Sequence, residues 1–314
     1  MSFSSQVKEE LEKHVSPTRH CQLGELAAMI HYCGQLTRGE GGRLQLEITT
    51  ENPSVARKCF TMLNKTFKIE TSMMEAECFQ EKNRGVHTIT IWKEPDLMAI
   101  FQGIKLLDSK GVLHEIKGEV NPLVLKQTCC QRAFLRGVFL SIGSMSNPKK
   151  SYHLELVCHN AGQALQLQTL LQGFGLDAKV VLRKKYHVVY LKEGSNIVDF
   201  LNICEAHVSL MSLENLRILK EMRNSINRRV NCETANITKT VNAAARQVED
   251  ILFLQKNPGF SNLPPALRQM AEVRLEHPDA PLKELGEYLD PPVGKSGVNH
   301  RLRKLSELAD FHRG

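Results

Sequence analysis

Apolar positions in this chain follow helical and alternating periods in an order that occurs twice. The run LAAMIHYCG, residues 26–34, and the run LRGVFLSIG, residues 135–143, each carry a small residue at the third position, Ala28 or Gly137, and each ends on glycine, Gly34 or Gly143. A glycine inside a helix costs about 1 kcal/mol relative to alanine, so Gly137 predicts a crossing where two helix backbones approach closely. Before the first run, Val7 and Leu11 predict a short lead-in helix over 4–14, ending before Pro17. The period then predicts a helix over 21–34 and a strand with Leu44, Leu46 and Ile48 on one face. Asn52, with Pro53 at the first helical position, opens a helix through Val55, Cys59, Met62 and Leu63. Strands over 69–78 and 86–92, about the polar turn EKNRG, and a helix over 95–107 complete the unit.

The same order returns after Cys130. A helix over 133–143 precedes the strand YHLELV (152–157), then Asn160, a helix through Leu165 and Leu171, strands over 178–183 and 186–192, and a helix over 196–204. Gly34 and Gly143 are 109 residues apart, whereas Glu47 and Glu155, like Asn52 and Asn160, are 108 apart. An internal duplication with one hairpin loop a residue shorter explains both offsets. The expected fold class is therefore α+β: two αββαββα halves paired through their first helices as a saddle, its concave side lined by strands.

Beyond 205 only helical patterns remain. Leu216, Leu219, Met222 and Ile226 predict one apolar face, with Arg217, Lys220, Arg223 and Arg228 largely off it. The polar stretch NCETAN predicts a break before a second helix over 236–253. NPGFSNLPP, 257–265, breaks the chain again, and short helices are expected over 266–276, 281–289 and 297–309. In the last, Val298, Leu302 and Leu305 form the buried face and Ser296 is the expected N-cap. The resulting division is a lead-in over 1–20, repeats over 21–110 and 133–215 joined by a connector over 111–132, a basic helical connector over 216–256, and a terminal helical domain over 257–314.

Charge adds a partner to this picture. The net charge is +7, and residues 217–246 carry seven basic and two acidic side chains, while 295–304 carry four basic and none acidic. Such clusters are the footprint expected for a polyanion. No apolar run reaches the roughly 18–20 residues that span a bilayer, and the polar start lacks the apolar centre of a secretion signal, so no membrane partner and a cytoplasmic, nucleoid-associated location are expected. Nine cysteines without a C-x-x-C pair fit reduced, buried thiols, and twelve histidines show no ligand spacing, so neither metal nor cofactor is expected. GKSG at 294–297 imitates a phosphate-binding loop, but Leu289 stands where the first glycine belongs and no strand precedes it.

The two opening helices resemble the LAGLIDADG motif of homing endonucleases. The whole chain, from MSFSS through the duplicated part, RNSINRRVNCETANITKTVNAAARQ and KSGVNHRLRKL, resembles the WhiA family of bacterial DNA-binding regulators. That resemblance implies a LAGLIDADG-like domain followed by a loose helix-turn-helix domain. It also implies a Gram-positive source and roles in cell division, chromosome segregation or sporulation. In nucleases of this fold an acid precedes each motif glycine and holds Mg²⁺, which takes hard oxygen ligands. Here those positions are Cys33 and Ile142, and Glu25 lies eight residues back, about 12 Å along the helix. The expectation is no catalytic residue and no nuclease activity. An active Mg²⁺-dependent endonuclease and a protein-binding scaffold are the alternatives.

A helix-turn-helix places the start of its second helix at base edges and neighbouring donors at phosphates. Asn299, His300 and Arg301 are the expected base-edge residues. Lys295, Ser296, Arg303 and Lys304 are expected at phosphates, with Arg217, Lys220, Arg223, Arg228 and Arg229 extending the footprint. The expected function is sequence-specific regulation of transcription on double-stranded DNA, by recruiting or obstructing the transcription machinery; the operator, sign of regulation and oligomeric state are not legible.

Overall fold

A computed structural model describes residues 2–69, 72–76, 85–108, 110–256, 260 and 262–313. Residues 81–84 of the turn EKNRG, and 257–259 and 261 of the NPGFSNLPP break, lie outside the described residues. The chain divides into two compact units, Met1–Leu219 and Lys220–Gly314.

In the first unit α1 (Phe3–Lys13) leads into α2 (Arg19–Cys33), β1 (Gly34–Arg38), β2 (Leu44–Thr50), α3 (Pro53–Phe67), β3 (Ser72–Ala76), β4 (Val86–Ile91) and α4 (Glu94–Gly103). The second copy runs α5 (Thr128–Ile142), β5 (Gly143–Met145), β6 (Leu154–Cys158), α6 (Ala161–Gly173), β7 (Lys179–Arg183), β8 (Tyr186–Leu191) and α7 (Gly194–Ile203). Each copy forms an antiparallel four-stranded sheet, ordered β1-β2-β4-β3 or β5-β6-β8-β7. Gly34 pairs with Ile48 and Gly143 with Leu156, which makes the second hairpin one residue shorter and accounts for the two sequence offsets. Leu46, Ile48, Ile89, Leu154, Leu156 and Val189 are buried, as alternation along strands covered on one face requires.

The two copies meet along α2 and α5. A Cβ on Gly137 would lie 2.5 Å from the Glu25 carbonyl oxygen and 2.8 Å from the Ala28 Cβ, so the close crossing expected at Gly137 is present. Charged side chains also sit inside this crossing, which the apolar pattern did not announce. Glu25, Lys58 and Arg136 are essentially fully buried; Glu25 is 3.1 Å from both the Lys58 Nζ and the Arg136 Nε. Arg136 further pairs with Glu205 at 2.6 Å and donates to the Ser16 hydroxyl at 2.8 Å. Lys58 donates to the Leu11 and His14 carbonyls. Buried charges persist only when compensated this way.

The lead-in helix is more than a leader. Val7 and Leu11 are buried in the core, and the Glu10 carboxylate accepts from the backbone N–H groups of Val208 and Ser209, at 2.8 and 2.9 Å. It thereby caps the start of α8 (His207–Gln255), where free N–H groups favour an anion. NCETAN does not break that helix. His207–Gln255 contains neither glycine nor proline, so nothing forces the polar run out of the helix, and the Thr238 and Thr240 hydroxyls are satisfied within it by the carbonyls of Thr234 and Asn236 four residues back. The expected apolar face of this segment is also not covered: Leu219, Met222 and Ile226 are 50 to 58% exposed.

The second unit adds α9 (Pro265–Glu276), α10 (Leu282–Glu287) and α11 (Lys295–Arg313). Ile251 and Leu254 from the end of α8 join Met270, Ala271, Leu285, Val298, Leu302 and Leu305 in one core. Ser296 is not the N-cap: α11 begins a residue earlier, and the Gly294 carbonyl accepts from the N–H groups of Gly297 and Val298. No helix among the described residues is long and apolar enough to cross a membrane.

Candidate nucleic-acid interface

The α10–α11 pair is built around a close approach. The Gly286 carbonyl accepts from the Val293 N–H at 2.9 Å, and a Cβ on Gly286 would meet the Val293 carbonyl oxygen, so glycine lets the connecting residues fold back over α10. This connection covers 288–294 rather than the expected 290–296. Arg274, buried, donates to the Ala280 carbonyl at 2.7 Å and so fixes the segment between α9 and α10.

With Val298, Leu302, Leu305 and Ala309 turned into the core, α11 presents Lys295, Ser296, Asn299, His300, Arg303 and Lys304 to solvent. Arg301 is half-buried, four residues before Leu305. Arg303 is already paired with Glu307 at 3.0 Å, an exposed i,i+4 contact of little energetic weight. On α8, Arg223 and Arg228 are exposed, whereas Arg217 is half-buried and paired with Glu214 at 2.9 Å, and Arg229 is paired with Glu233 at 3.5 Å. Lys220 is half-buried.

The motif ends in the first unit have a different chemistry. Cys33 closes α2 and Ile142 closes α5. Burial pushes the Cys33 thiol up, a Ser141 hydrogen bond and the charge of Lys8 opposing it. Burial likewise pulls Lys8 down to about 8, with Cys33 opposing. Lys8 reaches there because α1 packs on α5 and β5; its Nζ is 5.7 Å from the centre of the Phe139 ring. Carboxylates do arrive from strands. Glu47 and Glu155 stand opposite Gln35 and Ser144, the residues that follow the motif glycines. Glu47 accepts from Gln35, Thr37 and Gln45, and Glu155 is held by His153 and Arg183 at 2.5 and 2.6 Å. Burial raises the Glu155 carboxyl, and the hydrogen bonds and charges of His153 and Arg183 outweigh it to leave a net lowering.

Sequence reasoning missed one group entirely. His20, Cys21, Cys129 and Cys130 converge at the opposite ends of α2 and α5. Two adjacent pairs 109 residues apart match no ligand spacing, so only Cys129–Cys130 stood out in the sequence. Burial pushes the Cys130 thiol up to about 11, and the nearby Cys21 and Cys129 add to it.

Known proteins resemble the chain along its length. Residues 19–107 match the WhiA N-terminal LAGLIDADG-like domain, 131–223 the WhiA LAGLIDADG-like domain, and 226–309 the WhiA C-terminal HTH domain. A protein of Lachnoclostridium phytofermentans named probable cell division protein WhiA is 51% identical over 313 residues, 99% of each chain. The protein of the same name from Alkaliphilus oremlandii is 46% identical over 310 residues, 98% of this chain and 97% of that one. The crystal structure of full-length DUF199/WhiA from Thermatoga maritima is 25% identical, covers 99% of both chains and superposes with a TM-score of 0.61. The fold is thus a LAGLIDADG-like α+β part followed by a helical helix-turn-helix region, and with half of its residues shared with a relative along nearly the whole length, the chain belongs to the WhiA family.

Proposed function

We propose that the protein is a sequence-specific regulator that binds double-stranded DNA through α11, with a LAGLIDADG-like part that performs no cleavage. The observation that carries this reading is the α11 surface: Lys295, Ser296, Asn299, His300, Arg303 and Lys304 are exposed on one helix whose other face closes a core. An exposed helix of this chemistry suits the major groove, where Asn and Arg make bidentate contacts and lysines meet phosphates. Arg223 and Arg228 extend the basic surface along α8. The relatives' names support a role in cell division.

The motif ends support the second half of the reading. A thiol and a hydrocarbon occupy the ends of the paired helices where nuclease chemistry needs carboxylates for a divalent cation, and α1 brings the Lys8 ammonium over the Phe139 ring within the charge field of Cys33. Glu47 and Glu155 are each engaged by neighbours on their own sheets.

Footprinting the full chain on genomic fragments from its own source tests the proposal. Discrete protected sites that survive excess non-specific competitor are expected, together with supercoiled plasmid that stays intact in Mg²⁺. Uniform protection, or metal-dependent nicking that persists through purification, would overturn it.

A further inference from the structure

His20 and Cys21 are the second and third residues of α2, and Cys129 and Cys130 are the second and third of α5. The crossing of these helices stacks the two first turns against each other. Gly24 permits the approach, since a Cβ there would lie 3.0 Å from the Cys130 carbonyl oxygen. The His20 Nδ1 is 3.2 Å from the Cys130 Sγ, 3.4 Å from the Cys21 Sγ and 3.9 Å from the Cys129 Sγ. All four donor atoms lie within 4.8 Å of one another.

We propose that His20, Cys21, Cys129 and Cys130 form a tetrahedral zinc site that clamps the amino ends of α2 and α5 together. Zinc–sulfur bonds of about 2.3 Å and a zinc–nitrogen bond of about 2.0–2.1 Å place nitrogen roughly 3.5 Å from each sulfur in a tetrahedron. The three measured nitrogen–sulfur separations bracket that value. Three thiolates and an imidazole form a soft donor set that suits Zn²⁺ and is wrong for Mg²⁺ or Ca²⁺. On binding, the three thiols release their protons to solvent and His20 coordinates as neutral imidazole through Nδ1; nothing is oxidised or reduced. The complex carries one net negative charge, which the free N–H groups of two helix amino ends favour. Cys21 and Cys130 are buried while His20 and Cys129 are exposed, so the site is anchored in the fold and open to an ion from solvent.

Neither copy supplies more than half of the ligands, so the metal ties the first repeat to the second across more than a hundred residues of chain. This role is independent of DNA binding. Bound zinc stabilises the folded state by the mass-action term for a ligand that binds it alone.

The test uses the full-length reduced protein, purified without chelator. Elemental analysis is expected to find about one zinc per chain, falling to background in a Cys129→Ser, Cys130→Ser double variant and unchanged in Cys232→Ser, an exposed thiol outside the group. Titrating metal-free wild-type protein with Co²⁺ should give thiolate-to-cobalt charge-transfer bands and tetrahedral ligand-field bands, both abolished by Zn²⁺. Absence of these bands in the folded, reduced wild-type protein would overturn the site. So would zinc retained at full stoichiometry by the double variant, or a disulfide joining any two of the three cysteines in protein isolated under non-reducing conditions with thiols blocked. Because the cobalt titration uses wild-type protein, it decides the matter even if the double variant fails to fold.

Discussion

Gly137 is the residue at which the two repeats come closest. A valine side chain there would drive its Cβ into the Glu25 carbonyl and the Ala28 methyl, and two packed helix backbones cannot both yield. Gly137→Val is expected to destabilise the protein by about 3 kcal/mol, read as a lower urea midpoint with unchanged slope. An unaltered midpoint would rule out the close crossing. His31, two residues before Cys33, gives the fold a pH dependence. Its ring is buried, its Nδ1 lies 3.2 Å from the Gly118 carbonyl, and burial pulls its pKa down to about 4. The folded state therefore refuses a proton that the unfolded chain accepts below about 6.5. Stability from this residue is fully present above that pH and is lost as pH falls from about 6.5 to about 4, by roughly 3 kcal/mol. A His31→Asn variant should lose this part of the slope when unfolding free energies are compared at pH 7 and pH 4.5. Both Gly137 and Cys33 could be identified from their places in the repeated runs. Glu25 could not, because an acid within an apolar helix carries no sign of Lys58 or Arg136, which reach it from other helices.

At the scale of elements, the periodic segments were legible and their ends less so. The helix over 297–309 is present but extends from Lys295 to Arg313, because Gly294 rather than Ser296 supplies the first carbonyl of the ladder. In α8, the polar run NCETAN predicts a break that is not there: a break requires the backbone to leave the helix, and without glycine or proline nothing makes it do so. The division of roles along α11 is testable by substitution. Asn299→Ala and Arg301→Ala should relax sequence preference, by about 1–3 kcal/mol of discrimination at one base position each. Arg303→Ala should weaken all duplexes alike, since a phosphate contact carries no base information. Competition binding with single-base operator variants distinguishes the two; an unchanged preference in the first pair would reassign the reading face. Arg301 is the sharper case, because it alone of the three base-edge candidates is half-buried.

Over the whole molecule, basic side chains exceed acidic ones by seven, and the excess is concentrated in 217–246 and 295–304. Binding that neutralises several phosphates releases condensed counterions, so duplex affinity should fall tenfold or more between low and moderate salt, measured by anisotropy titration. Affinity indifferent to salt would contradict the proposed phosphate contacts. The sequence by itself determined the duplication, the helical final third, the paired motif helices and that Cys33 and Ile142, not acids, precede the motif glycines. These are properties of periodicity and of residue identity at fixed spacing, and a linear chain displays them directly. Only the tertiary structure decided that Glu25 is held between Lys58 and Arg136, that α1 brings Lys8 and Glu10 to distant elements, and that two Cys- and His-bearing helix starts 109 residues apart become one four-donor group. Each of those depends on the crossing of packed helices, and a crossing joins residues whose separation along the chain bears no relation to their separation in space.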